Sequence, residues 1–385
     1  MPRPTEGKPP VTTAPPFRRL RHPRTVLLIT GLPLMALLGV AAVPGHALAA
    51  PATTTALTTS AATTAQAASA ASAAKPLRVA SYNIRCANCF DHGKNEGTWA
   101  QRRGAVVAVI RSQNLDVLGV QEASQGRIYD SATGKKNISQ FEDLRARLGG
   151  PWRLTNTKRY NCVKDMSPNK CKYASKGASK GTRILYNSDR VQLVSQGSAL
   201  LPKPKPEDVR SVAWAVLKQR STGRSFMFSN VHLAADGAKN YSIRKKQAQV
   251  AVAAVKAHNP KKLPVIAVGD WNSSRFADPT NAPYDVYRKA GFVDPLGGKY
   301  DTTKTAPGAT VQKRIRTWVS SSNRYTRKAP AHKNWINGSY IDYLMTTPMQ
   351  VSEWETVAKL DKNGNFIGRI PSDHNMIRAT VYLPR

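Results

Sequence analysis

Residues 265–274, VIAVGDWNSS, pass without a break from apolar side chains into an aspartate, a tryptophan and an asparagine, and the same grammar recurs along the chain. Residues 116–122 (DVLGVQE) form an apolar run with a carboxylate at its carboxyl end, and residues 225–231 (SFMFSNV) lead into His232. Residues 339–347 (SYIDYLMTT) contain Asp342, and Ser372-Asp373-His374 precedes a closing run at 375–383. Residues 77–85 alternate Leu77, Val79, Ser81 against Ala80, Tyr82, Ile84 and deliver Asn83 near their end. Apolar runs this short, bounded by turn residues, read as strands rather than helices. Between them Thr98 caps a predicted helix ending near Ser112, and residues 237–258 are helical in pattern. Ser221-Thr222-Gly223 and Asn363-Gly364 mark hairpins. The chain is therefore expected to be α/β with many antiparallel neighbours.

Not all 385 residues belong to the folded body. Arg3, Lys8, Arg18, Arg19, Arg21 and Arg24 precede an apolar run over 26–43 that ends in Ala47-Leu48-Ala49, the plan of a secretory signal peptide. Gly31, Pro33 and Gly39 interrupt the run, which favours cleavage over an uncleaved membrane anchor. Residues 50–75 are almost wholly Ala, Thr, Ser and Gln, too poor in apolar bulk to pack a core. The expected organisation is a signal peptide over 1–49, a disordered linker over 50–75 and one domain over 76–385, in a secreted, extracellular protein.

The formal charge is +35, and about +30 once residues 1–49 leave with six basic residues and one acid. Such a surface seeks polyanions. Nucleic acid is the first candidate, because each phosphate neutralised by Lys or Arg releases condensed counterions; anionic or choline lipid is the alternative, and charge kept for solubility the bland one. No acid stands between Asp301 and Asp342, where Lys304, Lys313, Arg314, Arg316, Arg324, Arg327, Lys328 and Lys333 mix with Trp318, Tyr325 and Trp335. Basic plus aromatic suits phosphate and base contact, so Arg314 and Arg316 are expected to bind substrate. A second basic segment covers 153–183. Both are expected to be loops. In an exported chain Cys86, Cys89, Cys162 and Cys171 are expected in disulfides, with local pairing the simplest of three connectivities and a Cys₄ zinc site the alternative. No obligate protein partner is evident, and a monomer is expected.

Asn83, Glu122, Asp270, Asn272, Asp342 and Asp373 are carboxylates or amides, accompanied by His232 and His374. Singly, an Asp or Asn at a strand end caps a helix or makes a turn. Together they suit a hard divalent cation. A phosphodiester resists attack until its charge is neutralised, its oxygen polarised and a water oriented in line, and a cation with Asp, Asn and His meets those needs.

The ordered series SYNIR, VQEAS, NVHLAA, VGDWNSS, YIDYLMTT and SDHNMIRATV resembles the endonuclease/exonuclease/phosphatase superfamily, which includes deoxyribonuclease I, exonuclease III-type AP endonucleases and bacterial sphingomyelinases. The resemblance implies a four-layer α/β sandwich of two packed, mostly antiparallel sheets flanked by helices, with the site at strand ends on one rim. It implies Glu122 as the principal metal ligand, with Asn83 beside it and Asp373 as a second carboxylate near the metal. Asp270 would orient or deprotonate the attacking water, and Asn272 would hold a phosphate oxygen. Their i, i+2 spacing would aim both the same way if the backbone stays extended. His374 would contact the scissile phosphate, with its tautomer set by Asp342. His232 would be the second histidine, a general acid to the leaving oxygen. Lys180 and Arg183 fall where the family places phosphate contacts. The implied cofactor is a divalent metal, Mg²⁺ before Mn²⁺ or Ca²⁺. The expected activity is a metal-dependent phosphodiesterase, a nuclease on DNA or RNA. The alternatives are a sphingomyelinase or phospholipase C, a phosphomonoesterase, or a polyanion-binding protein without catalysis.

Trp271 reads as a rim or packing residue. Three other features read as decoys. Gly177-Ala-Ser-Lys-Gly181 fits a nucleophile elbow but precedes a strand among lysines. Asp361-Lys-Asn-Gly-Asn365 opens like a calcium loop, yet Ser372 stands where the closing Glu belongs. His92, His258 and His332 are isolated.

Overall fold

The computed structural model describes residues 75–87, 89, 93–124, 127–130, 135–156, 181–203, 210–235, 237–274, 280–297, 308–331 and 336–385. The signal-peptide and linker readings, Cys162, Cys171, Lys180 and most of the basic segment 153–183 lie outside them.

Strands β1 (Pro76–Asn83), β2 (Val117–Gln121), β3 (Arg127–Asp130), β4 (Lys135–Ser139), β5 (Trp152–Leu154), β6 (Arg183–Asn187) and β7 (Val191–Leu201) make up the first half. Strands β8 (Arg210–Gln219), β9 (Ser225–His232), β10 (Val265–Asp270), β11 (Lys313–Ile315), β12 (Asp342–Thr346), β13 (Gln350–Val357) and β14 (Met376–Tyr382) make up the second. They form a seven-stranded sheet in the order β11-β13-β14-β1-β2-β6-β5, a five-stranded sheet β12-β10-β9-β8-β7, and the pair β3-β4. Both large sheets are mixed: β1 runs parallel to β2 but antiparallel to β14, and β10 runs parallel to β9 but antiparallel to β12. Helix α1 (Trp99–Ser112) starts on Thr98 in a reciprocal cap with Gln101, as its sequence predicts, and α2 (Gln140–Leu148) starts on Ser139 in the same way with Glu142. Helices α3 (Tyr241–Ala257) and α4 (Ala282–Lys289) complete the set.

Strand alternation builds the layers. Leu77 and Val79 of β1, Val117 of β2, Phe226 and Phe228 of β9, Ile266 and Val268 of β10, and Leu344 of β12 meet in one core between the sheets. Residues of opposite parity, Ala80, Tyr82, Leu118 and Val120, pack under α1 and α2. Val265 and Ala267 pack under α3 and α4. The result is the expected four-layer α/β sandwich.

The parity that fills the inter-sheet core also carries each strand's last residue to the rim. Counting by twos from Val79, Val268 and Leu344 reaches Asn83, Asp270 and Asp342, and from Phe228 it reaches Asn230 and then His232. Gly119 and Gly269 permit the close approach: a Cβ on Gly119 would stand 2.6 Å from Val268 Cγ2, and one on Gly269 would stand 2.2 Å from the Val231 carbonyl.

One polar group ties the two sheets in their apolar interior. The buried Asn230 amide donates to the carbonyls of Val120 at 2.9 Å and Arg183 at 2.8 Å, and its oxygen accepts from Gln121 Nε2 at 2.6 Å. An apolar replacement leaves the Val120 and Arg183 carbonyls without the Asn230 donor and Gln121 Nε2 with Ser81 Oγ alone. Asn230→Ala is expected to lower the unfolding free energy by about 2 to 4 kcal/mol in urea titrations. A loss near zero would mean that the bridge is not structural.

Candidate active site

Register brings the polar ends together. Asp270 pairs with His232 across β9–β10 and with Asp342 across β10–β12. From the other sheet, Asn83 Nδ2 donates to Asp270 Oδ2 and to Glu122 Oε1, each at 3.0 Å. This asparagine joins the two sheets at the rim. The peptide N–H of Asn272 donates to Asp270 Oδ1 at 2.9 Å. His374 Nε2 lies 3.8 Å and His232 Nε2 3.5 Å from Asp270 Oδ2. The other His374 nitrogen, Nδ1, donates to Asp342 Oδ2 at 2.8 Å.

Three non-glycine residues of this rim adopt left-handed backbone: Arg85 (φ 55), Glu122 (φ 58) and Asn272 (φ 47). Such conformations cost on the order of 1 kcal/mol or more each and persist where surrounding bonds over-determine them. At Asn272 the turn replaces the extended backbone expected from the i, i+2 spacing. Its amide nevertheless stays on the site, donating to Leu233 O at 3.1 Å and standing 3.1 Å from His232 Nε2. Trp271 turns the other way: it is fully buried and stacks between Tyr287 of α4 and Tyr343 of β12, at 4.4 and 4.5 Å between ring centres. It anchors the strand end rather than lining the site.

Glu122 is the most open carboxylate here. Its Oε1 accepts from Asn83, and its Oε2 accepts from Cys86 N at 3.1 Å and lies 3.8 Å from Arg85 Nη1. The same guanidinium nitrogen is 3.7 Å from Asp373 Oδ2, while Arg85 Nε donates to Glu96 at 2.9 Å. Glu122 and Asp373 thus converge on one place that already draws positive charge.

The electrostatics split the rim. Burial, then the neighbouring Asp342 carboxylate, raise the Asp270 carboxyl to about 7, against the opposing pull of His374, Asn83 and the Asn272 peptide. Burial disfavours the His374 cation, yet the Asp342 and Asp270 carboxylates outweigh it, so this imidazole holds its proton well above the ordinary histidine range. The cluster can therefore hold a proton on an oriented imidazole and accept another at Asp270.

Of the charged substrate-binding expectations, the one for Arg183 needs correction. Arg183 is fully buried over the Phe141 ring at 4.3 Å, and burial pulls its guanidinium down to about 9, so it has no face toward a ligand. Arg314 donates to Asn337 Oδ1 at 2.7 Å and to Leu296 O at 2.9 Å. Arg316 is paired with Glu355 and donates to Thr356 O at 3.3 Å. Both brace the fold. A disulfide joins Cys86 to Cys89, which removes two ligands from the zinc alternative.

Several supporting residues escape a reading of the sequence. Arg102 of α1 is buried and donates to the carbonyls of Ile84, Arg85 at 2.5 Å and Cys86 at 3.0 Å, clamping the turn that follows Asn83. Ser321 Oγ accepts from the Asp342 peptide at 3.2 Å, and Asn323 N donates to Asp373 O at 2.6 Å. Ser372 Oγ donates to Asn83 O at 2.7 Å. The available signal is a polar residue at a buried position of the pattern, such as Arg102 between Trp99 and Val106 or Asn230 inside SFMFSNV.

The sequence matches the model of the Endonuclease/Exonuclease/phosphatase family over residues 80–374, and the chain belongs to that family, whose members hydrolyse phosphoester bonds and are generally dependent on a divalent metal. No curated protein matches the chain in sequence. Among solved structures it is similar to an endonuclease/exonuclease/phosphatase family protein of Bacteroides thetaiotaomicron, at 21% identity and a TM-score of 0.57, covering 81% of this chain and 99% of that one. It is similar to a mannosyl-6-phosphatase of the same organism, at 21% identity and a TM-score of 0.56, covering 79% and 99%. It is also similar to the human Nocturnin catalytic domain with bound sulfate anion, at 17% identity and a TM-score of 0.52, covering 80% and 94%. These likenesses show the fold.

The proton held at Asp270 has a sign in stability. Unfolded, the carboxyl titrates at 3.8; folded, at about 7. The folded state therefore binds the extra proton, and this contribution to stability is complete below the unfolded value and lost as pH rises through about 7. In EDTA, Asp270→Asn is expected to gain stability relative to wild type as pH rises through that window, read by urea unfolding at stepped pH. Parallel stability curves would contradict the assignment.

Proposed function

We propose that the chain is an exported phosphodiesterase, a nuclease that hydrolyses DNA or RNA by direct attack of water. The observation that carries the reading is the buried Asp270 carboxylate, faced at once by Asn83, Asn272, His232 and His374 at the strand ends. Asp270 takes the proton of the attacking water. His374, held by Asp342 and protonated, donates to a non-bridging phosphate oxygen and offsets the charge that grows there. The Asn272 amide holds a second oxygen. His232 stands on the far side of Asp270 from Asp342, placed to protonate the leaving oxygen.

The carboxylates of Glu122 and Asp373 suit a hard divalent cation such as Mg²⁺, because both lie within 4 Å of one Arg85 guanidinium nitrogen, with Asn83 beside them donating to Glu122. When bound there, such an ion neutralises phosphate charge. The ligand atoms of Asp270, Asp342 and His374 also stand close enough together for an ion, but there the His374–Asp342 hydrogen bond already occupies one carboxylate oxygen.

The charge of about +30 on the exported chain favours a polyanion such as nucleic acid over a choline lipid. Among the described residues no helix is long and apolar enough to cross a membrane, and the exposed large apolar side chains are Val194 and Leu200 of β7, Trp318 and Ile367. The signal-peptide pattern of residues 1–49 supports export.

One panel tests the reading: plasmid, single-stranded DNA, RNA, sphingomyelin and a sugar phosphate, each with Mg²⁺, Mn²⁺, Ca²⁺ or EDTA. Cleavage of nucleic acid is expected, abolished by EDTA. Asp270→Ala and His374→Ala should each lower kcat/KM by about a thousandfold or more with thermal melting preserved. Turnover confined to sphingomyelin or the sugar phosphate would replace the nuclease, and wild-type rates in both variants would displace the site.

A further inference from the structure

The cations of this protein are not spent evenly. On the α1–α2 layer they have partners: Arg103 lies 3.7 Å and Arg147 3.0 Å from Asp143, Arg111 donates to Arg147 O at 2.8 Å, and Arg145 donates to Trp152 O at 3.2 Å. Along the β11–β13–β14 edge, Lys313 meets Glu353 at 3.5 Å, and Arg316 and Arg378 meet Glu355. The α3–α4 layer differs. Lys245, Lys246, Lys256, Lys261, Lys262 and Lys289 are all exposed, and none forms an ion pair among the described residues. The one described carboxylate on α3, α4 or the turn after α3 is the half-buried Asp285.

These lysines form a surface rather than a scatter. Helices α3 and α4 pack side by side on the five-stranded sheet, burying Ala251, Val255, Tyr284 and Tyr287 and leaving their other faces to solvent. Lys245 and Lys256 are eleven residues apart, which returns them to one side of the helix roughly 16 Å apart along its axis. Between Lys246 and Lys256 the exposed positions are the short or neutral Gln249 and Ala253. Lys261 and Lys262 extend the charge past the helix end. A duplex carries one negative charge per about 1.7 Å of axis, both strands counted, so this length of duplex holds on the order of ten phosphates, of which one side faces the protein. Lysine, a mobile point charge, suits contact with phosphate in any sequence.

We propose that the outer face of the α3–α4 layer is a second contact surface for the nucleic-acid backbone, separate from the catalytic rim, which holds long substrates while the rim cleaves them. The inference rests on the nuclease reading. It favours nucleic acid over an anionic membrane because this layer exposes no large apolar side chain to enter a bilayer. It also moves the electrostatic footing of the substrate from Arg314 and Arg316, which brace the fold, to lysines that the sequence does not single out.

The test combines Lys245→Glu, Lys246→Glu, Lys261→Glu and Lys262→Glu. Binding of a short DNA duplex is measured in EDTA across a salt series, and turnover of bis(p-nitrophenyl) phosphate is measured with metal. The variant should bind the duplex at least about tenfold more weakly, with a plot of log affinity against log salt shallower by about 0.9 for each phosphate that the protein no longer neutralises. Turnover of the small diester should stay at the wild-type rate. A control, Lys359→Glu with Lys362→Glu on the hairpin near residue 364, should weaken duplex binding far less for each charge reversed. Unchanged duplex affinity and slope in the quadruple variant would overturn the inference, as would an equal weakening per charge in the control. Weaker binding to phosphatidylglycerol vesicles with duplex binding retained would overturn it in favour of a membrane. Failure of the nuclease reading has its own signature: the wild-type protein would cleave no nucleic acid.

Discussion

A carboxylate buried between two sheets controls the rest of this structure. Asp270 has no lysine or arginine among its described partners; it is held by the amide of Asn83, the peptide of Asn272 and two imidazoles. An isolated anion there would be costly, and the protein meets that cost by sharing protons within the cluster and by donating hydrogen bonds from both sheets. The two sheets must therefore stay in register to within a hydrogen bond. Asn230 between the sheets, Arg102 behind the Asn83 turn and Trp271 wedged under α4 all serve that alignment.

The same economy explains how a mostly apolar sandwich can carry a polar centre. The strands contribute mainly apolar residues to the inter-sheet core, with Ser81 and Asn230 as buried polar exceptions, and end at the rim on Asn83, His232, Asp270 and Asp342. The chain then leaves the rim through strained or tightly bonded turns at Arg85, Glu122 and Asn272. The polar centre is thus confined to strand ends, and loops beyond such ends can change without disturbing the core.

Much of this is legible in the residues. Asn83, His232, Asp270 and Asp342 stand out because a polar residue closes an apolar run, and period two then fixes their side of the sheet. Trp271 can be placed only once its parity is seen to point away from the rim. Asn272 departs from the extended expectation because its peptide bonds back to Asp270, a local turn that competes with the strand. The arginines are the weak point, since charge says nothing of burial: Arg183 opens a strand and lies in the core, and Arg314 and Arg316 find carbonyl and carboxylate partners from distant segments. Arg102 and Asn230 escape notice for the converse reason, being polar residues inside apolar patterns that read as noise until their partners are seen.

The proton shared at the rim is the claim on which this picture of the site stands, and nitrogen-15 NMR of histidine-labelled, metal-free protein measures it directly. Near neutral pH both ring nitrogens of His374 should carry protons in the wild type, and Asp342→Asn should return the ring to a neutral tautomer. A neutral His374 in the wild-type protein would contradict it.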